Sequence, residues 1–286
     1  MSANNPRAIK HTFKNRPTLE GAGVHLKRAI GFGDPYLFDP FLLLDDFHSD
    51  DPQQYLAGFP WHPHRGIETI TYMLEGRVEH GDSLGNRGVI SAGDVQWMTA
   101  GSGIIHQEMP KGDAQGRMYG FQLWANLPAS HKMMAPRYQE IKSSRIPVVT
   151  RSNGTCIRVI CGTIDGQQGP VRDIITDPQY LDVALPANSQ FSHPTPRGYT
   201  VFAYVFEGVG QFGAQESTLE NGSVILFTDG DQVQISTVGE GVRFLLISGK
   251  PIGEPIAWRG PIVMNSQEEL RLAFDELQKG TFIKHG

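Results

Sequence analysis

Cysteine is almost absent from this chain, with two among 286 residues, Cys156 and Cys161. Their spacing of five puts them on opposite faces of one strand, so they neither bridge each other nor share a metal, and a disulfide scaffold is excluded. They read as small apolar side chains in a core strand, in a reducing compartment. Long apolar runs are missing as well: stretches such as residues 41–44 and 244–247 are far too short to span a bilayer. The opening residues, MSANNPRAIKHTFKN, carry no apolar signal-peptide core. A cytoplasmic protein without a membrane span is expected. Positive charge is in short supply too, with 25 Lys and Arg against 30 Asp and Glu and no basic run of five, which argues against an electrostatic nucleic-acid face.

Helical periodicity is confined to one place. In NSQEELRLAFDELQKG (265–280), Ser266 is an N-cap with Glu269 three residues on; Leu270, Ala273, Phe274 and Leu277 share one face, and Gly280 follows the end. Elsewhere glycines such as Gly66, Gly76, Gly85, Gly93 and Gly101 cut the chain into short strands and turns, the signature of an all-β protein.

What is present is a pair of ligand-type clusters. His62 and His64 lie in GFPWHPHRGIETITYMLEG (58–76), and His106 and Glu108 follow in GDVQWMTAGSGIIHQEMP (93–110). Side chains at i and i+2 leave one face of a strand about 6.6 to 6.8 Å apart, so two such pairs on neighbouring strands can converge on one ion. Three of only ten histidines fall in these two clusters, flanked by Ile67, Ile70, Tyr72, Ile104 and Ile105, which is not how a solvated surface is composed. One divalent metal is expected, held by three imidazoles and a carboxylate. Glu108 supplies the carboxylate in one reading, and Glu68, with the same parity as the two histidines, in another.

The chain also repeats itself. TYMLEG (71–76) matches AYVFEG (203–208) at an offset of 132, and AGDVQWMTAG (92–101) lies over NGSVILFTDG (221–230) at 129. Carried across, His62 and His64 fall on Pro194 and Pro196, and His106 and Glu108 on Ile235 and Thr237, so the second copy is expected to be metal-free. HKMMAPRYQEIKSSRIP (131–147) reads as the connection, which gives an N-terminal metal-binding domain at 1–138 and a C-terminal one at 139–286 that includes the helix.

These blocks resemble the pirin family of the cupin superfamily. DPFLLLDDF (39–47), the two histidine segments, FQLWANLP (121–128) and GPIVMN (260–265) carry the likeness across nearly the whole chain. The resemblance implies two tandem cupin barrels (double-stranded β-helix, or jelly-roll) with a short C-terminal helix. It also implies a metal, iron(II) first with Mn, Co, Ni, Cu or Zn allowed by ligand type, on residues matching His62, His64, His106 and Glu108. Glu68 is then left to orient an imidazole. Trp61 stands where similar proteins often carry a polar residue.

Some pirins resemble quercetin 2,3-dioxygenases, which cleave a flavonol with O2 and release carbon monoxide. That implies a flat aromatic substrate, Glu108 as general base, and Trp61, Met98, Phe121 and Trp124 as candidate walls of the pocket. The rival implication is an iron-dependent, redox-sensing regulator with a protein partner, similar to eukaryotic pirins that act as transcriptional co-regulators. A monomer that binds neither nucleic acid nor membrane is expected in either case.

Overall fold

The computed structural model describes residues 5–285, and its strands pair antiparallel throughout the sheets. Strand Ile104–Lys111 shows why: Ile104, His106, Glu108 and Pro110 are buried while Ile105, Gln107 and Met109 are half-exposed, the two-residue period of a sheet with one covered face. Two of the expected features appear directly, the all-β composition and the capped helix Gln267–Gln278. Ser266 accepts from the Glu269 amide at 3.2 Å while Glu269 accepts from the Ser266 amide at 2.9 Å, a complete capping box.

Contacts divide the chain into two compact units. One comprises Arg16–Leu37, Phe41–Ser143 and the C-terminal segment from Ile252; the other comprises the N-terminal arm through Asn15, Phe38–Pro40 and Ser144–Pro251. The terminal segments thus lie with the opposite unit from the one that cutting the chain at residue 138 assigns them to. Sequence order cannot reveal this, because each segment is placed by long-range pairing. In the second unit, Ile9–Lys14 pairs with Ser223–Phe227. That unit is one branched ten-stranded sheet around Val159, Leu181, Phe191, Val205, Phe212 and Phe244. Cys161 is buried and Cys156 half-buried in strand Cys156–Cys161, and neither forms a disulfide.

In the first unit a seven-stranded sheet and a four-stranded sheet share a core. The large sheet runs Arg137–Ile141, Val95–Thr99, Ile67–Glu75, Met118–Asn126, Phe41–Ser49, Val24–Ile30 and Arg16–Glu20. The small one runs Phe59–His64, Ile104–Lys111, Arg77–Asp82 and Arg87–Ser91. Val78 and Ile90 from the small sheet pack with Leu26, Phe47, Met73 and Met118 from the large one. Residues 137–141, expected in the connection, form the edge strand of the large sheet instead.

The C-terminal segment acts as a strap on this unit. Hairpin Ala257–Arg259 with Ile262–Met264 leads into the helix, and the Val263 amide donates to the Arg65 carbonyl at 3.0 Å. Buried Lys132 donates from Nζ to the carbonyls of Gly66 (2.9 Å) and Val263 (3.1 Å) and to Asn126 Oδ1 (2.6 Å), so all three ammonium protons find acceptors. Arg65 donates to the Ser102 and Phe282 carbonyls and pairs with Glu276 on the helix at 2.7 Å. Gly66 sits at φ +77°, and a Cβ there would run into the Val263 carbonyl oxygen. Among the described residues no helix is long and apolar enough to cross a membrane.

Gly66→Ala is expected to destabilise the protein by about 3 kcal/mol, through the left-handed backbone and the displaced strap together. Urea unfolding checks this, and an unchanged midpoint would remove the strap from the account.

Candidate metal centre

Strand Phe59–His64 pairs with Ile104–Lys111 so that His62 lies opposite His106 and His64 opposite Ile104. Alternation puts all three imidazoles on one face. Their ring centroids are 4.4 Å (His62 to His106), 4.9 Å (His62 to His64) and 5.0 Å (His64 to His106) apart, and one ligand atom of each lies within 4.8 Å of the others. Among the described residues this is the cluster of His, Cys, Asp or Glu atoms able to surround an ion.

The tautomers follow from the partners. His62 Nδ1 is 2.8 Å from the Pro60 carbonyl and His64 Nδ1 is 3.2 Å from the Pro261 carbonyl. A carbonyl only accepts, so each Nδ1 carries the proton and each Nε2 keeps its lone pair for the cluster. Burial holds His62 below the ordinary imidazole value. It holds His64 and His106 well below it, with charge on neighbouring histidines adding to the effect. All three are therefore neutral bases, the form that binds metal. His106 is 1 % exposed and neither of its nitrogens has a hydrogen-bond partner. An unsatisfied buried polar group costs about 1–3 kcal/mol, so an imidazole placed this way fits the role of a metal ligand.

Glu108 follows His106 on the same inward face, past a register shift, and lies outside the tight triad. Burial pushes its carboxyl up to about 7. Thr71 Oγ1 is 2.7 Å from Gln122 Oε1 and 3.1 Å from Glu108 Oε1. The single Thr71 proton is shared between the two oxygens, and the bond it donates to Glu108 pulls the carboxyl back down against the larger effect of burial. His62, His64, Glu108 and Trp124 line a cavity of about 420 Å³, a size suited to a small organic molecule. Trp124 meets the His64 ring edge-on at 5.1 Å.

The other expected wall residues lie elsewhere. Trp61 is 55 % exposed, since it alternates with His62 and points away from the cluster. Phe121 alternates with cavity-lining Gln122 and is fully buried on the other face of its strand, where it meets Tyr72 and Tyr119. Met98 packs with Ala100 and Ile104 in a separate apolar cluster. Glu68 does not orient an imidazole: it accepts from Thr99 Oγ1 at 2.6 Å. The left-handed Gly66 between His64 and Ile67 resets the strand phase, so parity counted across it does not carry. The groups that do orient the rings, the Pro60 and Pro261 carbonyls, were missed, as were Thr71 and Gln122. The only signal for Pro261 was the GPIVMN block.

Register also corrects the repeat. In the second unit Phe191 lies opposite Ile235 and His193 opposite Val233, so the counterparts of His62 and His64 are Phe191 and His193 rather than Pro194 and Pro196. The offset of 129 holds for this strand too. His193 is buried and 2.6 Å from Gln179 Oε1, beside Phe191 and Ile235 at the other two imidazole positions.

Comparison with known proteins agrees with this architecture. The family model described as Pirin matches residues 23–125, and that described as Pirin C-terminal cupin domain matches residues 180–283. A pirin-like protein of Caulobacter vibrioides is 47 % identical over 96 % of this chain and 99 % of its own. A Pseudomonas aeruginosa relative, provisionally named a quercetin 2,3-dioxygenase, is 42 % identical over 96 % of this chain and 97 % of its own. The solved quercetin 2,3-dioxygenase of Acinetobacter baumannii superimposes with a TM-score of 0.89 at 30 % identity, covering 97 % of this chain and 98 % of that one. The fold is thus two tandem cupin barrels.

Removing the Glu108 carboxyl gives a pH-dependent outcome. Its folded value of about 7 lies above the usual 4.5, so the folded state binds the extra proton and stability falls as pH rises through that window. Glu108→Gln in the metal-free chain is expected to gain about 3 kcal/mol relative to wild type between pH 4.5 and pH 8. A constant gap in thermal midpoint across that range would contradict the assignment.

Proposed function

The chain belongs to the pirin family, and on that premise we propose that it is a metal-dependent dioxygenase that cleaves a flavonol-type substrate with O2 and releases carbon monoxide, as quercetin 2,3-dioxygenases do. The observation that carries this reading is the buried triad itself. His106 has no partner for either nitrogen, and the cavity opens beside the two imidazoles whose lone pairs are free.

His62, His64 and His106 would hold the ion and Glu108 would be the fourth donor, an N3O set for which iron(II) is the first assignment. When bound, the metal supplies Lewis acidity toward the substrate's enol oxygen and a redox centre for O2. The protein contributes the rest. Released from the ion, Glu108 takes the proton of the flavonol hydroxyl as general base. Thr71 and Gln122 steady the carboxyl while it does so. Trp124, edge-on to His64, offers an aromatic wall to a flat ring system. The low-dielectric lining keeps bulk water from the ionised substrate. Two free thiols fit a reducing cytoplasmic setting.

The test is O2 uptake and carbon monoxide release with quercetin, using protein loaded anaerobically with iron(II), beside His106→Ala. The expected result is turnover in the intact chain and a loss of at least about a hundredfold in the variant, together with its iron. No turnover with a full equivalent of iron bound would transfer the assignment to a redox-sensing regulator with a protein partner.

A further inference from the structure

The cavity has a second polar group on its wall, away from the histidines. Arg28 donates from Nε and Nη2 to both oxygens of Asp45, each at 2.8 Å, and Nη2 also reaches Glu20 at 2.8 Å. Its guanidinium lies over the Phe32 ring, 5.3 Å from the centroid. All four residues line the same cavity as His62 and His64. The Arg28 side chain is only 15 % exposed and Asp45 7 %, so this is a built feature of the wall and not a solvated pair. Among the described residues nothing occupies Nη1, whose two protons are the donors left over.

Strand register places this group. Arg28 lies opposite Asp45, Asp45 opposite Gln122, and Gln122 opposite Thr71, whose hydroxyl meets Glu108. Three interstrand steps of about 4.8 Å separate Arg28 from Thr71 along the sheet, roughly 14 Å between backbones. A ligand touching both ends therefore has to be elongated, on the scale of two or three conjugated rings. The charge selects its chemistry. Two carboxylates face one guanidinium, so a carboxylate or phosphate would meet excess negative charge, whereas a neutral hydroxyl can accept from Nη1 and donate to Asp45 or Glu20.

We propose that Arg28 is a specificity-determining residue that reads a phenolic hydroxyl at the end of the substrate remote from the histidines, so that the preferred substrates are elongated phenols and not carboxylated analogues. This rests on the dioxygenase reading for the end of the substrate nearer the histidines. Glu20 and Asp45 hold the guanidinium in place, and Phe32 covers its face.

The experiment compares 3-hydroxyflavone, which has only the chelating end, with 3,4′-dihydroxyflavone, 3,7-dihydroxyflavone and the 4′-carboxy analogue. Binding to the metal-free full chain is read by tryptophan fluorescence, and KM and kcat by turnover of the iron-loaded chain. The variant is Arg28→Gln/Asp45→Asn, which removes the buried pair together and leaves only Glu20, whose side chain is 39 % exposed and solvated. In wild type at least one dihydroxyflavone is expected to bind about tenfold tighter than 3-hydroxyflavone, and the carboxy analogue no tighter. The variant is expected to bring that ratio to about one, through KM and not kcat. Equal binding of the hydroxylated and plain flavonols by wild type, a preference for the carboxylate, or a preference that survives in the variant overturns the proposal and leaves the dioxygenase reading standing. Absence of binding and turnover for every flavonol removes that reading and the proposal with it.

Discussion

Everything at the histidine cluster depends on one backbone constraint, the antiparallel register of Phe59–His64 against Ile104–Lys111. Because His62 faces His106 directly, three rings meet within about one ion's reach with no special loop to bring them together. A slip of one residue would turn His62 and His64 to the opposite face from His106. The strap formed by the C-terminal hairpin and helix secures that register at the His64 end. Lys132 and Arg65 satisfy its carbonyls from below, and Gly66 leaves space that any side chain would fill.

The polar atoms inside the barrel are organised by the same ladder. Arg28, Asp45, Gln122 and Thr71 stand side by side on four neighbouring strands, and Glu108 joins them across the cavity. Burial and pairing act in opposite directions along this row. Asp45 is pushed up to about 6 by burial even though Arg28 holds both of its oxygens, and Glu108, lacking any cation, reaches about 7. The barrel thus keeps one carboxyl anchored for structure and one poised near neutrality.

Much of this was legible in the sequence. Two i,i+2 pairs on glycine-bounded strands were enough to bring His62, His64 and His106 together, because alternation is a local property. The helix was equally plain, since Ser266, Glu269 and Gly280 are local signals. What failed were inferences carried across a break. Glu68 was given the wrong face because Gly66 resets the phase. Alternation turns Trp61 and Phe121 from the cavity, whereas Met98 shares the inward face of Thr69 and Thr71 but packs with Ala100 and Ile104 away from the cavity. The repeat was misaligned by three residues at His62, and only the pairing of Phe191 with Ile235 reveals it. Contacts group each terminal segment with the unit remote from it in sequence, and no local pattern reports such a grouping.

His64 takes its tautomer from Pro261, a residue near the end of the chain and 197 positions away. During synthesis the histidine strand and its partner are complete long before that carbonyl exists. The direction in which His64 presents its lone pair is therefore set by a segment remote from the histidine strand in sequence, which ties the cluster to the strap.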